Sequence, residues 1–215
     1  LVRRAPEGVR VIAVDQLEMG FSERSGRTRR LATRIDDLDA LTTELGLDGP
    51  DVTVAHDWGG PVSLGWAQRH VDQLAGVVLM NTAVHQPEGS PAPSLIRLAR
   101  SRPLLRNVTV NTTTFIRGAI EMSSPRLPAA VRRGFLAPYG SADRRTAIGD
   151  FVADIPLSPD HPSAPTLDRV AADLAQLHDV PALLLWGAKD PVFSDLYLHD
   201  LERRLPHADV HRYPG

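Results

Sequence analysis

The sequence predicts an α/β architecture: a mostly parallel, doubly wound sheet with a helical segment inserted into it. Three observations carry this expectation. Short apolar, β-branched runs at Val9 to Val14, Val52 to Val54 and Leu74 to Met80 read as buried strands. Helical periodicity fills the intervals, and strand–helix–strand order with short links means parallel strands. The composition then shifts between about 85 and 165, where most of the prolines and several helical fragments fall without any strand signal. The expected units are therefore a first part of the core at 1–84, a helical lid at 85–165 and a second part of the core at 166–215.

Taken in order, Val9 to Val14 is a strand and Asp15 to Ser25 a loop. From Thr28 to Leu45, Leu31, Ile35, Leu38, Leu41, Thr42 and Leu45 recur at three- and four-residue steps, an amphipathic helix that Gly46 ends. The cluster of Arg27, Arg29, Arg30 and Arg34 at the start of that helix invites an anion-site reading, but Asp36, Asp37 and Asp39 follow directly, so a solvated charged face is expected. Beyond the inserted segment, the proline-rich run Ile155 to Pro162 returns the chain to the core. A helix over Leu167 to Leu177, a strand over Ala182 to Trp186, a helix over Ser194 to Leu205 and a last strand over Ala208 to Tyr213 complete it.

The chemistry centres on Val52 to Pro61. A strand runs into Ala55, Asp57 and Gly59 at alternate positions, and helical periodicity resumes at Val62. Strand, sharp turn and helix, with small residues two before and two after a polar one, is the nucleophile-elbow pattern. The central side chain here is a carboxylate, which implies attack at carbon and an alkyl-ester intermediate on Asp57. The plainer alternative is an Asp that caps the following helix. Asp190 also stands at the carboxyl end of a strand, where open α/β sheets place their sites. It reads as the acid that fixes a following histidine, or else as a turn residue before Pro191.

His56-Asp57-Trp58-Gly59-Gly60, Trp186-Gly187-Ala188-Lys189-Asp190-Pro191 and Phe151 to Leu157 resemble the haloalkane dehalogenase-like branch of the α/β-hydrolase superfamily, over essentially the whole chain. Within it, Asp15 to Arg24 and Asn81 to Gly89 are similar to the β-lactone decarboxylases of actinobacterial long-chain olefin biosynthesis, which are often fused to a β-lactone synthetase. The resemblance implies an α/β-hydrolase fold with Asp57 as nucleophile and Asp190 as triad acid. Trp58 would lend its indole N–H to a halide or lactone oxygen and its backbone N–H to the oxyanion hole. It also implies a small apolar substrate, a β-lactone or an alkyl halide, and no cofactor or metal. Trp66 and Trp186 are expected in the core, and His56 as a structural hydrogen-bonding residue.

Three departures from the family pattern matter. The catalytic histidine is expected just past Gly215, in a Gly-His pair; His207 and His211 lie before or within the last strand and are not expected to be the base. The His-Gly-x-Pro loop that supplies the other oxyanion donor is expected ahead of residue 1, together with the first strands. By this reading the 215 residues are the middle of a longer protein, and alone they lack a complete triad. Finally, Glu18 stands where the family commonly has Gly.

In the lid, Leu95, Ile96, Leu98, Leu104, Leu105, Phe115, Ile116, Ile120 and Met122 either line an apolar slot for alkyl chains or form the lid's own core. No Trp lies there, which disfavours dehalogenases with a lid Trp, and Tyr139 is its only tyrosine, which disfavours epoxide hydrolases with a lid tyrosine pair. The remaining class is a catalytically incomplete binding or scaffold module. Net charge is −2, which gives no electrostatic footprint for nucleic acid or an anionic membrane. With no Cys and no apolar run of the roughly 20 residues that span a bilayer, a cytoplasmic protein is expected.

Overall fold

The computed structural model describes residues 4–87 and 102–214. Four parallel strands form one sheet in the order β1 (Asp51–His56), β2 (Leu74–Met80), β3 (Ala182–Gly187) and β4 (Asp209–Tyr213). The register aligns Val54 with Val78, Leu79 with Leu184 and Leu185 with His211. Every link between neighbouring strands is a crossover, as parallel pairing requires. The inner strands carry the core: Val77, Leu79, Leu184 and Trp186 are buried.

Helix α1 (Leu31–Glu44) is buried along Leu31 and Ile35 and closes where expected. Gly46 takes φ 61°, and the Gly46 and Leu47 N–H groups return to Thr43 and Thr42 carbonyls. Its N-terminus is not capped locally. The Leu31 N–H donates instead to Asp154 Oδ2 at 2.8 Å, so a buried carboxylate 123 residues later ties the inserted segment to the core. Helix α2 (Gly59–Ala67) lies close to α1, because a Cβ on Gly65 would come within 2.4 Å of Ile35 Cδ1.

Between β2 and β3 the described residues form helices and turns: α3 (Arg102–Arg106), a π-helical turn over Asn107–Asn111, α4 (Thr114–Glu121), α5 (Ala129–Leu136), α6 (Ala142–Ala153) and α7 (Ala164–Ala172). Ile116, Ile120 and Ile148 form a separate small core against Phe115, Leu127, Leu136 and Tyr139. Leu95, Ile96 and Leu98 lie outside the described residues. Helix α8 (Asp195–Arg204) then packs Tyr197, Leu198 and Leu201 onto the main core.

Three expectations are corrected. Residues 9–14 form no strand, and Val9, Ile12 and Val14 stand exposed. A strand exists through its ladder, and no described strand lies beside this run. Likewise β1 is a strand but not a buried one. It pairs only with β2, and Val52 and Val54 are 56% and 45% exposed, because one face of this edge strand is uncovered. Arg34 is not on a solvated face. It is buried, donates to Gln16 Oε1 at 3.0 Å and lies 4.1 Å above the Phe151 ring. Of the cluster, Arg29 pairs with Asp37, one of the acids that follow it, while Arg30 reaches Asp154 on the far segment instead.

Candidate active site

The elbow is built by small residues that allow a tight reversal. Asp57 follows β1 with φ 52°, a left-handed conformation that costs a non-glycine residue on the order of 1 kcal/mol or more. A Cβ on Gly59 would sit 4.0 Å from Ala55 Cβ, so the residues flanking Asp57 at two positions either side meet across the turn. Gly60 is more constrained, since a Cβ there would fall 2.1 Å from Thr82 Oγ1. That hydroxyl donates to the Asp57 carbonyl at 2.5 Å, and the Asp57 N–H donates to the Asn81 carbonyl at 3.1 Å. The strained residue is therefore held from the end of β2.

Asp57 opens onto a crevice lined by Trp58, Ala83, His85, Gln86, Leu157 and Phe193, with Ile155, Pro156, Leu167, Val192 and Tyr197 completing an otherwise apolar wall. The residue keeps an exposed side while protein crowds its carboxyl. This loss of hydration pushes its pKa up; the His56 charge and the Trp58 backbone N–H pull it down, and the Asp190 carboxylate pushes it up again.

Trp58 is buried, and its indole meets Phe151 edge-on with ring centroids 6.5 Å apart. Its Nε1–H is buried without a hydrogen-bond partner among the described residues, as is that of Trp186, which lines no crevice. Orphaned buried donors are rare in folded proteins, and this one belongs to a residue that lines the crevice beside a carboxylate. Trp66 is a core residue as expected, with its Nε1–H on Thr42 Oγ1 at 2.8 Å, and Trp186 is fully buried under β3.

Asp190 follows β3 and makes the hydrogen bonds of a turn residue before Pro191: its Oδ1 accepts from the Val192 and Phe193 N–H groups at 2.7 and 2.9 Å. Those two residues line the crevice, and the Asp190 charge reaches Asp57. His207 Nε2 is held at 2.9 Å from the Val180 carbonyl, and His211 is exposed on β4. His56 is corrected: it is exposed, makes no side-chain hydrogen bond among the described residues, and acts on Asp57 through charge alone.

The sequence reading missed four contributors. Asn81 and Thr82 were visible only as the polar end of an apolar strand. His85 and the Gln86–Tyr197 pair, whose hydroxyl donates at 2.9 Å, had no spacing that would signal a crevice. Of the described residues expected either to line an alkyl slot or to form the inserted segment's own core, none lines the crevice: Ile116, Ile120 and Phe115 take the second role in the small core, and Leu104 and Met122 are exposed. Glu18 is accommodated rather than disruptive. It takes φ 72°, and its buried carboxylate receives Ser25 N–H and Oγ–H and the Gly26 N–H. Burial raises its pKa, and these hydrogen bonds outweigh that and lower it.

A family model described as the alpha/beta hydrolase fold matches residues 1–215. The chain is 36% identical to a cis-3-alkyl-4-alkyloxetan-2-one decarboxylase of Xanthomonas campestris pv. campestris, covering 98% of this chain and 73% of the relative. It is 32% identical to the enzyme of the same name from Shewanella oneidensis, over 94% of this chain and 65% of that relative. Haloalkane dehalogenase 1 of Mycobacterium tuberculosis is 30% identical over 87% of this chain and 61% of its own length. Among solved structures, haloalkane dehalogenase DbeA from Bradyrhizobium elkani superposes with a TM-score of 0.80 at 21% identity, covering 92% of this chain and 70% of that one. DatA from Agrobacterium tumefaciens does so at 0.80 and 17%, over 92% and 69%. These structures share the fold, and the sequence relatives are named as enzymes. With the family model matched from end to end, the chain belongs to the α/β-hydrolase family.

Proposed function

We propose that this chain carries the nucleophile and charge-stabilising part of an α/β-hydrolase that decarboxylates a cis-β-lactone to an alkene and CO2. The observation that carries the reading is the pairing of a left-handed, strand-end Asp57 with the unpartnered Trp58 Nε1–H on one apolar crevice. The identity to two decarboxylases, above that to the dehalogenase, favours the lactone over the halide.

Asp57 attacks the ring carbon that bears the ring oxygen, and the ring C–O bond breaks with its electron pair on the departing carboxylate. Trp58 Nε1–H donates to that developing charge in a site that excludes water on its apolar side. The bond from carbon to the carboxyl group then breaks to release CO2. Its electron pair becomes the C=C bond, and the ester C–O bond returns its pair to Asp57. No water is consumed. In the halide route the first step expels halide instead, and a water activated by a histidine that Asp190 orients cleaves the ester. Residues 85–165 act as a lid whose return segment, Ile155 to Leu157, forms one wall of the crevice. A β-lactone synthetase, fused or associated, is the partner this reading implies.

The test is Asp57→Asn in the full-length protein. The variant loses turnover of a long-chain cis-β-lactone by a factor of about 10⁴ or more, as expected for removal of a covalent nucleophile. Turnover within tenfold of the parent contradicts the scheme.

A further inference from the structure

The whole-chain charge of −2 conceals a strongly basic segment. Residues 104–136 contain Arg106, Arg117, Arg126, Arg132 and Arg133 against a single carboxylate, Glu121. Arg126 and Arg132 both pair with Glu121, at 3.2 and 3.0 Å, so this one acid is shared. Arg106 and Arg133 meet no carboxylate among the described residues, and Arg132 keeps a buried Nε–H without a partner.

The same segment exposes large apolar side chains. Helix α5, Ala-Ala-Val-Arg-Arg-Gly-Phe-Leu, has no buried residue at all, although most of its residues are apolar. Val131 and Phe135, one helical turn apart and so on one face, are 42% and 55% exposed, and Met122 at the end of α4 is 50% exposed. Between α4 and α5 runs a groove of about 240 Å³ lined by Ile120, Ala129 and Leu136 and by Arg117, Arg132 and Arg133, with Glu121, the acid that Arg132 pairs with, as its one carboxylate. Exposed apolar side chains on a short helix, with arginines beside them and almost no acid, are the composition of a helix that lies in a lipid interface.

We infer that α4 and α5 form a docking surface for an anionic phospholipid membrane, with Val131 and Phe135 entering the acyl boundary and the arginine-lined groove receiving a phosphate headgroup. Charge complementarity selects anionic lipid, and the exposed phenyl and aliphatic groups select lipid over nucleic acid. The surface lies away from the residues that line the Asp57 crevice, and the inference stands independently of the reaction proposed above.

The experiment is co-sedimentation of the full-length protein with vesicles of phosphatidylcholine alone and with 30% phosphatidylglycerol, at about 50 mM and 500 mM salt. The parent binds the anionic vesicles at low salt, binds neutral ones weakly, and is released by high salt. Arg132→Gln/Arg133→Gln weakens binding about twenty-five-fold, from the roughly fivefold each interfacial arginine supplies. Phe135→Ser weakens it at least tenfold at low salt, through lost apolar burial. Unchanged melting temperatures and unchanged turnover of a short, water-soluble substrate show that both variants remain folded. A folded parent that ignores anionic vesicles overturns the inference, as does binding that neither variant weakens. Capture of an acidic polypeptide such as poly-glutamate by a parent that does not bind vesicles would assign the surface to a protein partner instead.

Discussion

The Asn81 side chain and the Gly187 backbone exchange two hydrogen bonds, Gly187 N–H to Asn81 Oδ1 at 2.8 Å and Asn81 Nδ2–H to the Gly187 carbonyl at 3.0 Å. The Asn81 carbonyl also receives the Asp57 N–H, and the Gly187 carbonyl receives the Asp190 N–H at 3.2 Å. One amide thus ties the ends of β2 and β3 and sets both carboxylates on a common frame. Replacing Asn81 by Ala removes the tie and leaves an alanine at a residue with φ 28°. The expected costs are about 2–3 kcal/mol in stability and a ten- to hundredfold loss in kcat with KM little changed, read by urea unfolding and steady-state kinetics.

Gly59 and Gly60 provide a matched pair. Gly60→Ala drives a Cβ into Thr82, which holds the Asp57 carbonyl, and destabilises by about 1–3 kcal/mol. Gly59→Ala meets only Ala55 at van der Waals distance and changes stability by less than about 0.5 kcal/mol. Chemical denaturation of the two variants compares them directly.

Trp58→Phe keeps an aromatic ring near Phe151, deletes the unpartnered N–H and also removes the volume of the second ring of a buried indole. Stability falls by about 1–2 kcal/mol through the smaller buried side chain, with no hydrogen-bond loss added to it. The kcat for the lactone falls about 10²- to 10³-fold, the effect of removing one donor from a developing charge. A loss of stability with intact kcat would make Trp58 a packing residue.

The raised pKa of Asp57 has a thermodynamic consequence. An acid whose folded pKa lies above its unfolded one binds its proton more tightly when folded, so stability falls as pH rises from the ordinary carboxylate range, near 3.8, through the folded value. Asp57→Asn removes this loss. The variant melts above the parent at pH 7, and the gap narrows as the pH is lowered towards 4, measured by melting temperature across pH.

Much of the architecture was legible because period and punctuation agree. Leu31, Ile35, Leu38 and Gly46 marked α1, and Ala55-x-Asp57-x-Gly59 marked the turn. The errors share a cause in tertiary partners that a local pattern does not name. Val9 to Val14 and Val52 to Val54 have the composition of buried strands, yet their burial depends on a neighbour. Arg34 read as solvated because of the acids after it, while Phe151, more than 100 residues away, covers it. His85 was illegible for the same reason, as only the fold brings it to the Asp57 crevice.

The central claim is tested most directly by the products of the full-length protein, offered a long-chain cis-β-lactone and, separately, a 1-bromoalkane. The lactone yields alkene and CO2, and the bromoalkane releases no bromide. Bromide and alcohol without any alkene would contradict that claim and make the chain part of a dehalogenase.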